Sequence, residues 1–205
     1  MGVTVFAYLF LLFAVALLRL VELWIFRRNQ RLLAVKGVKK VPEAGFRWMV
    51  VFHAGILVSS GVEVVFFQRP LIPLMAFVMG LLLAFAVGLR WWVIRVMAEH
   101  WNVQVMVSTE LGVVTHGPFR WIRHPNYAAV FVEMIALPLL HTAWCTALAG
   151  AIIHGWVLRE RIRVEEAALL TNPTYVACMA SKPRFVPRLF RRPLKRASER
   201  LAPKA

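Results

Sequence analysis

Residues 3–26 read VTVFAYLFLLFAVALLRLVELWIF, an apolar run long enough to cross a bilayer as a single helix. The run is too long for a signal peptide, no basic residue precedes it, and it lacks a small-x-small cleavage site. We therefore interpret it as a retained membrane span. Four more apolar runs follow it: Trp48 to Phe67, Leu71 to about Met97, Tyr127 to Leu140 and Ala143 to Leu158.

These runs predict an all-α integral membrane protein with about five transmembrane helices, ending in a helical hairpin. Only Gln68, Arg69 and Pro70 separate the second and third runs, which predicts a tight turn. Pro138 lies near the junction of the last two runs and is expected to kink or break its helix there. The composition agrees, because 60% of the 205 residues are hydrophobic and 17% are charged. In soluble domains about 45–50% of the residues are apolar and about 25% are charged.

The basic residues predict the orientation of the chain in the membrane. The formal net charge is +15, and Lys and Arg gather after the first run, between the third and fourth, and beyond Leu158. Short basic loops stay in the cytosol, so we expect the N-terminus outside and the C-terminus in the cytosol. The basic tail, residues 188–205, is expected to lie near anionic lipid headgroups. Topology alone accounts for its charge, so nucleic-acid binding is not predicted.

Acidic residues and cysteines argue against metal and disulfide chemistry. All ten acidic residues are Glu, so the aspartates common in metal sites are missing. The two cysteines, Cys145 and Cys178, have no CxxC spacing. We therefore predict no metal site and no disulfide framework.

Several ionisable residues lie inside the predicted spans, where each needs a partner, a cavity or access to the interface. Arg19 and Glu22 are three residues apart and are expected to pair on one helix. Glu63 and Arg90 lie on adjacent spans and are expected to pair across the helix interface. His53 is expected to form a hydrogen bond between helices. Two more side chains can serve either the structure or a site: Glu133 and His154.

The stretch at residues 113–127, VVTHGPFRWIRHPNY, carries the strongest sign of chemistry. Gly117-Pro118 predicts a chain reversal, and Pro125 favours an extended His124 followed by a helix start. This arrangement places Arg123, His124 and Tyr127 around a helix N-terminus, which attracts anionic groups. The alternative is a basic juxtamembrane loop with an interfacial aromatic belt.

A second polar cluster, RERIRVEE at residues 159–166, follows the last span. Arg161 and Glu165 are four residues apart and share a helix face. Both clusters lie on the predicted cytosolic side, so they can meet at one membrane depth. The alternative is a solvated helix end with alternating charges.

The stretch from about Gln104 to Pro187 resembles the isoprenylcysteine carboxyl methyltransferase (ICMT) family of integral-membrane enzymes. The resemblance rests on the Gly-Pro-aromatic segment running into residues 123–127, on the helical hairpin, and on Arg161 with Glu165-Glu166. It implies N-terminal transmembrane helices at 1–100, a methyltransferase core at 101–187 with a cytosolic cofactor-binding loop and helix, and a basic tail at 188–205.

The resemblance also implies S-adenosylmethionine as cofactor, and it assigns site residues. Arg161 matches the arginine associated with the reacting end of the substrate, and Arg123 is expected to act with it in catalysis. Three departures from the family pattern stand out: Phe119 replaces a common tyrosine, Ala129 replaces a common glycine, and four acids shrink to two. The expected cofactor contacts are Gln104, Val113, Val114, Phe119, His124, Pro125, Asn126, Tyr127 and Glu165.

Methyl transfer from a sulfonium to an oxygen is an in-line displacement in which the protein mainly aligns the reactants. The segment with Glu133 and Pro138 looks closest to a bacterial branch that methylates alkylpyrone or alkylresorcinol lipids. We therefore expect a lipophilic acceptor that enters from the bilayer of a bacterial cell membrane, with the site in the cytosol. A prenylcysteine carboxylate, a phospholipid amine, and a non-enzymatic lipid-binding or transport protein remain alternatives. The oligomeric state is not indicated.

Overall fold

The computed structural model describes residues 2–35, 39–40, 46–101, 106–107 and 112–187. Its helices are α1 (Val3–Val35), α2 (Phe46–Phe66), α3 (Pro73–Met97), α4 (Pro125–Leu139), α5 (Trp144–Leu169) and α6 (Pro173–Met179). Short 3-10 turns cover Ala98–His100 and Gly117–Arg120. A two-residue antiparallel ladder joins β1 (Lys39–Lys40) to β2 (Met106–Val107). Apart from this ladder the regular secondary structure of the described residues is helical, which confirms the predicted all-α membrane fold.

Three helices in the described part of the chain, α1, α2 and α3, are long and apolar enough to cross a bilayer. Helix α4 has 15 residues. At 1.5 Å per residue this is about 22 Å, less than the hydrocarbon core of about 30 Å. Helix α5 has 26 residues, and its second half is rich in charge. The predicted hairpin of α4 and α5 is present, while the count of five spans stays a prediction.

The surface of the bundle is the kind that lipid solvates. Helix α4 packs against α3 and α5, and α2 packs against α1 and α5. Inside, a core of buried side chains joins α1 to the α4–α5 turn. Outside, large apolar side chains stand exposed along the helices that can span the membrane. Examples are Phe10, Trp24, Leu74 and Phe85. Such a surface is stable in a bilayer and would aggregate in water.

Pro138 ends α4, as expected from its missing N–H. The helix stops one residue later, at Leu139. Because proline cannot donate, the carbonyl of Met134 loses its helical partner, and Gly150 of α5 packs beside it, with a built Cβ 3.6 Å from that oxygen. The hydroxyl of Tyr8 donates to the carbonyl of Leu137 over 3.1 Å. The end of α4 is therefore held by α1 and α5.

The expected pair between Glu63 and Arg90 is wrong. The Glu63 carboxylate accepts hydrogen bonds from the backbone N–H groups of Cys145 (3.1 Å) and Thr146 (2.8 Å), in the first turn of α5. It also pairs with Arg69 over 2.9 Å. The first turn of a helix has unsatisfied N–H groups and a partial positive charge, which a buried carboxylate stabilises. Glu63 thus caps α5 from α2.

Arg90 instead pairs with Glu22, donating two hydrogen bonds of 2.7 and 2.6 Å to the carboxylate. The predicted pair of Arg19 with Glu22 is confirmed, at 2.7 Å. Arg19 also pairs with Glu133 of α4 over 3.0 Å. These four residues form what we call the intramembrane ion cluster. Two arginines and two glutamates cancel in charge, so the cluster joins α1, α3 and α4 without burying net charge.

Candidate functional site

The turn before α4 begins with a glycine that the backbone requires. Gly117 has a φ of +59°, and a built Cβ there would lie 2.7 Å from Cγ2 of Val96 on α3. A left-handed conformation and this close approach both favour glycine. The Lys182 ammonium donates to the carbonyl of Phe119 over 2.7 Å and holds the turn from the other side. The predicted chain reversal at Gly117-Pro118 is therefore present.

The step into α4 is fixed by the C-terminal segment. Pro125 occupies the first helical position, as expected. His124 before it has φ −123° and ψ 56°, so the extended conformation predicted for this residue is wrong. The backbone N–H of Arg123 donates to the carbonyl of Pro183 (2.9 Å). The N–H of His124 donates to that of Arg184 (3.0 Å). These two hydrogen bonds tie the end of the loop to the segment at Pro183 and Arg184.

Glu166 joins this loop to α5. Its carboxylate accepts hydrogen bonds from Arg184 (3.1 and 2.6 Å) and lies 2.9 Å from Nε2 of His124. It also pairs with Arg123 over 3.1 Å. We call these four residues the Glu166 cluster. Burial alone would raise the pKa of the Glu166 carboxyl. The hydrogen bonds from Arg184 and His124 outweigh burial, so this pKa lies below its usual value.

Glu165, the neighbouring acid, faces the other way. The hydroxyl of Tyr127 donates to its carboxylate. The ring of His124 stacks on that of Tyr127, with centroids 5.5 Å apart and planes at 27°. The guanidinium carbon of Arg161 lies 5.6 Å from the centroid of the Tyr127 ring, a cation–π distance. The first turn of α4 and the polar end of α5 therefore meet, as the sequence predicts.

A cavity of about 490 Å³ opens beside this contact and continues between α1, α2, α4 and α5. Its volume lies within the range of small-molecule sites, about 300–1,000 Å³. On α5 the lining residues recur at helical spacing, which places them on one stripe. Nine of the predicted site residues line the cavity: Val113, Val114, Phe119, His124, Pro125, Asn126, Tyr127, Arg161 and Glu165.

Two predicted site residues do not appear in this lining. Gln104 lies outside the described residues. The side chain of Arg123 points to Glu166 and is not among the residues that line the cavity. Its expected catalytic function stays a prediction, and the structure places it as a support for the loop.

Helix α6 supplies cavity residues that the sequence reasoning missed. Asn172 caps α6 by accepting from the N–H groups of Thr174 (2.9 Å) and Tyr175 (3.3 Å). Asn172 and Tyr175 both line the cavity. Burial, and then the charge of Glu165, raise the pKa of Tyr175 to about 12, so its phenol keeps its proton. The Asn-Pro pair at 172–173 is a readable helix start, which could have revealed α6.

Comparison with known proteins places this architecture in a family. Residues 78–182 match the isoprenylcysteine carboxyl methyltransferase (ICMT) family, a stretch that covers about half of the chain. The uncharacterized protein YpbQ of Bacillus subtilis is 27% identical over 151 residues, 74% of this chain and 89% of YpbQ. An uncharacterized protein of Haemophilus influenzae is 35% identical over 89 residues, 43% of this chain and 52% of that protein.

A solved structure shares the fold. The eukaryotic intramembrane Ras methyltransferase ICMT superposes with a TM-score of 0.52 and 24% sequence identity, over 67% of this chain and 50% of that one. This chain therefore spans about half the length of that enzyme. The family match includes the Gly117 turn, α4, α5 and α6, the elements that build the polar end of the cavity. The chain belongs to the ICMT family of integral-membrane methyltransferases, whose members use S-adenosylmethionine.

Proposed function

We propose that this chain transfers a methyl group from S-adenosylmethionine to an oxygen of a lipophilic acceptor. One observation carries the proposal: Tyr127 and Glu165 meet at the polar end of a cavity that continues between membrane helices. A polar cofactor can reach this end from the cytosol, while an acceptor with an apolar tail can reach the other end from the bilayer. The site accommodates two substrates of opposite solubility.

The residues at the polar end fit the proposed cofactor. S-adenosylmethionine brings an ammonium, ribose hydroxyls, an adenine and a carboxylate, and when bound it supplies a methyl group activated by a sulfonium. The Glu165 carboxylate can accept from its donor groups. The Oδ1 atom of Asn126 is buried with no hydrogen-bond partner in the described part of the chain, so it is a further acceptor that a ligand can satisfy. The N-terminus of α4 favours an anionic group such as the cofactor carboxylate.

Arg161 is placed to position the acceptor. It lies between the Tyr127 ring and the sulfur of Met49 on α2, at the border of the polar and apolar parts of the cavity. Its guanidinium stays charged in any environment found in proteins, so it can hold an anionic or polarised oxygen. Alignment of that kind accelerates a displacement without further chemistry from the protein.

We infer that the acceptor is an alkylpyrone or phenolic lipid, methylated on the cytosolic side of a bacterial cell membrane. A prenylcysteine carboxylate is the main alternative, favoured by the fold shared with a Ras methyltransferase. A phospholipid amine and a non-enzymatic lipid-binding protein are further alternatives. The orientation rests on the basic residues that flank the spans.

Cofactor binding is tested with the purified protein in detergent and S-adenosylhomocysteine as the titrant in calorimetry. The wild type is expected to bind, and Glu165→Ala is expected to abolish binding. Glu160→Ala is the matched control, because Glu160 lies on the same helix, is 40% exposed and pairs only with Arg163 among the described contacts. Absence of wild-type binding, or equal loss in both variants, would contradict the proposal.

The function of Arg161 and the acceptor are tested together. Membranes from the host are extracted, and the lipid fraction is incubated with the protein and methyl-labelled cofactor. Mass analysis of the labelled product identifies the acceptor. Arg161→Ala is expected to suppress labelling while S-adenosylhomocysteine still binds, whereas Arg163→Ala, on the exposed side of α5, is expected to leave both unchanged. Equal loss of binding and labelling in Arg161→Ala would refute the assignment.

A further inference from the structure

The cavity continues past Arg161 to a pair of imidazoles between α2 and α5. His53 and His154 both line it, and their ring centroids lie 5.2 Å apart with the planes at 87°. Neither residue belongs to the polar end where the cofactor residues gather. His154 precedes Arg161 by seven residues on the same stripe of α5, which places it about 10 Å further along the helix.

His154 packs against two phenylalanine rings. Its ring is parallel to Phe52, with centroids 6.1 Å apart and planes at 4°, and nearly parallel to Phe131, at 6.2 Å and 22°. The residue is 3% exposed. Neither Nδ1 nor Nε2 has a hydrogen-bond partner within the described part of the chain. Buried polar atoms are rarely left without a partner, so a ligand in the cavity is the natural source of one.

His53 has a fixed tautomer. Its Nδ1 lies 2.6 Å from the backbone carbonyl of Met49, one turn earlier on α2. A carbonyl only accepts hydrogen bonds, so Nδ1 of His53 carries the hydrogen. In a neutral imidazole this leaves Nε2 with the lone pair. The expected hydrogen bond between helices is therefore wrong, because His53 bonds to its own helix and keeps Nε2 as an acceptor.

This tautomer discriminates between ligand headgroups. A hydrogen-bond acceptor at Nε2 is satisfied by an O–H or N–H donor, whereas an ionised carboxylate has only acceptor atoms. Met49 links the two parts of the cavity, because its carbonyl accepts from His53 while its sulfur contacts the guanidinium of Arg161. The cavity lining around the two imidazoles is apolar and includes Ala54, Leu57 and Leu158, which suits an apolar ring that bears the donor.

We propose that His53 and His154 form the headgroup subsite for a lipid with an un-ionised hydroxyl on a ring, which donates to Nε2 of His53. The proposal rests on the proposed function, because it identifies this lipid as the methyl acceptor. It favours the phenolic lipid over the prenylcysteine carboxylate. His154 supplies the second polar contact, and Phe52 and Phe131 pack against its ring.

The test compares two probes that differ only in the donor, 4-dodecylphenol and 4-dodecylanisole. Each is titrated into the full-length protein in lipid nanodiscs, with and without S-adenosylhomocysteine. The wild type is expected to bind the phenol about 2–13-fold more tightly, the ratio that corresponds to the contribution of one neutral hydrogen bond. His53→Phe removes the acceptor and is expected to abolish this preference. His141→Phe is the matched control, because His141 is a buried histidine that packs against the Tyr8 ring and does not line the cavity.

Equal binding of phenol and anisole by the wild type would overturn the proposal, and so would a preference that survives His53→Phe. A third probe, 4-dodecylbenzoate, tests the alternative that the headgroup is a carboxylate. If it binds more tightly than the phenol, the headgroup subsite belongs to Arg161 and the proposal is wrong. If His53→Phe does not fold, ¹⁵N-histidine spectra of the wild type replace it, since the phenol but not the anisole is expected to shift one Nε2 resonance.

The two proposals fail separately. Loss of S-adenosylhomocysteine binding contradicts the methyltransferase function, while the difference between phenol and anisole is still measured in the unliganded protein. Normal cofactor binding with no difference between the probes refutes only the headgroup subsite.

Discussion

Replacing Glu166 by Gln removes one negative charge from the centre of the Glu166 cluster while keeping the shape of the side chain. Hydrogen bonds to a charged partner contribute about 1.5–3 kcal/mol and neutral ones about 0.5–1.5 kcal/mol, so each contact is weakened by about 1 kcal/mol. Arg184 is 54% exposed, and water offsets most of its share. His124 and Arg123 are mostly buried, and their two contacts with residue 166 are together weakened by about 2 kcal/mol.

These two residues directly precede α4, and their backbone N–H groups bond to Pro183 and Arg184. We therefore expect Glu166→Gln to lower the melting temperature. It is also expected to weaken the binding of S-adenosylhomocysteine by up to about 30-fold, the equivalent of about 2 kcal/mol. Calorimetry and thermal unfolding in one detergent measure both effects. Glu160→Gln changes the same residue type on the exposed face of α5 and is expected to change neither.

An unchanged affinity of Glu166→Gln for S-adenosylhomocysteine would contradict this function of Glu166. So would an equal weakening of binding by Glu160→Gln, because the effect would then reflect the net charge of α5 and not the position of the loop.

Three further predictions concern pH, the far end of α5 and the turn. Because the pKa of Glu166 is lowered by folding, its stabilisation is fully present above the ordinary value of 4.5 and is lost as the pH falls through the lowered one. Below pH 4.5 the melting temperature of the wild type should thus fall more steeply with pH than that of Glu166→Gln. Parallel curves of melting temperature against pH would contradict this. Glu63→Gln should lower the melting temperature and leave the affinity for S-adenosylhomocysteine unchanged. The reason is that the Thr146 N–H, which Glu63 caps, lies about 28 Å along α5 from Glu165. A weakened affinity would contradict this separation. Gly117→Ala should cost about 1–2 kcal/mol of stability, from its positive φ and from contact with Val96, and a chemical denaturation curve like that of the wild type would refute it.

The helices and the polar end of the cavity were predictable because their signals are local. Apolar runs fix the helices, a proline at the first helical position fixes the start of α4, and a spacing of four places Arg161 and Glu165 on one face. The Tyr127 contact with Glu165 follows once both clusters lie at one membrane depth.

The ion pairs were harder to predict because their partners are set by packing. Sequence proximity favoured Glu63 for Arg90, yet the partner of Arg90 is Glu22, 68 residues away on α1. Glu166 was overlooked as the centre of its cluster. Adjacent helical residues point about 100° apart, so Glu165 and Glu166 serve different partners, and no spacing rule reveals which partners those are.

The intramembrane ion cluster also constrains how the chain is assembled during synthesis. Helix α1 inserts with Arg19 and Glu22 compensating each other, but Arg90 and Glu133 arrive later on helices that hold no counter-charge of their own. A lone charge at the centre of the bilayer costs about 2.5–3.5 kcal/mol. This favours late release of α3 and α4 from the insertion machinery, with α1 already in place as their template. A chain deprived of its first helix would leave Arg90 and Glu133 without Glu22 and Arg19, the partners that hold them in the folded bundle.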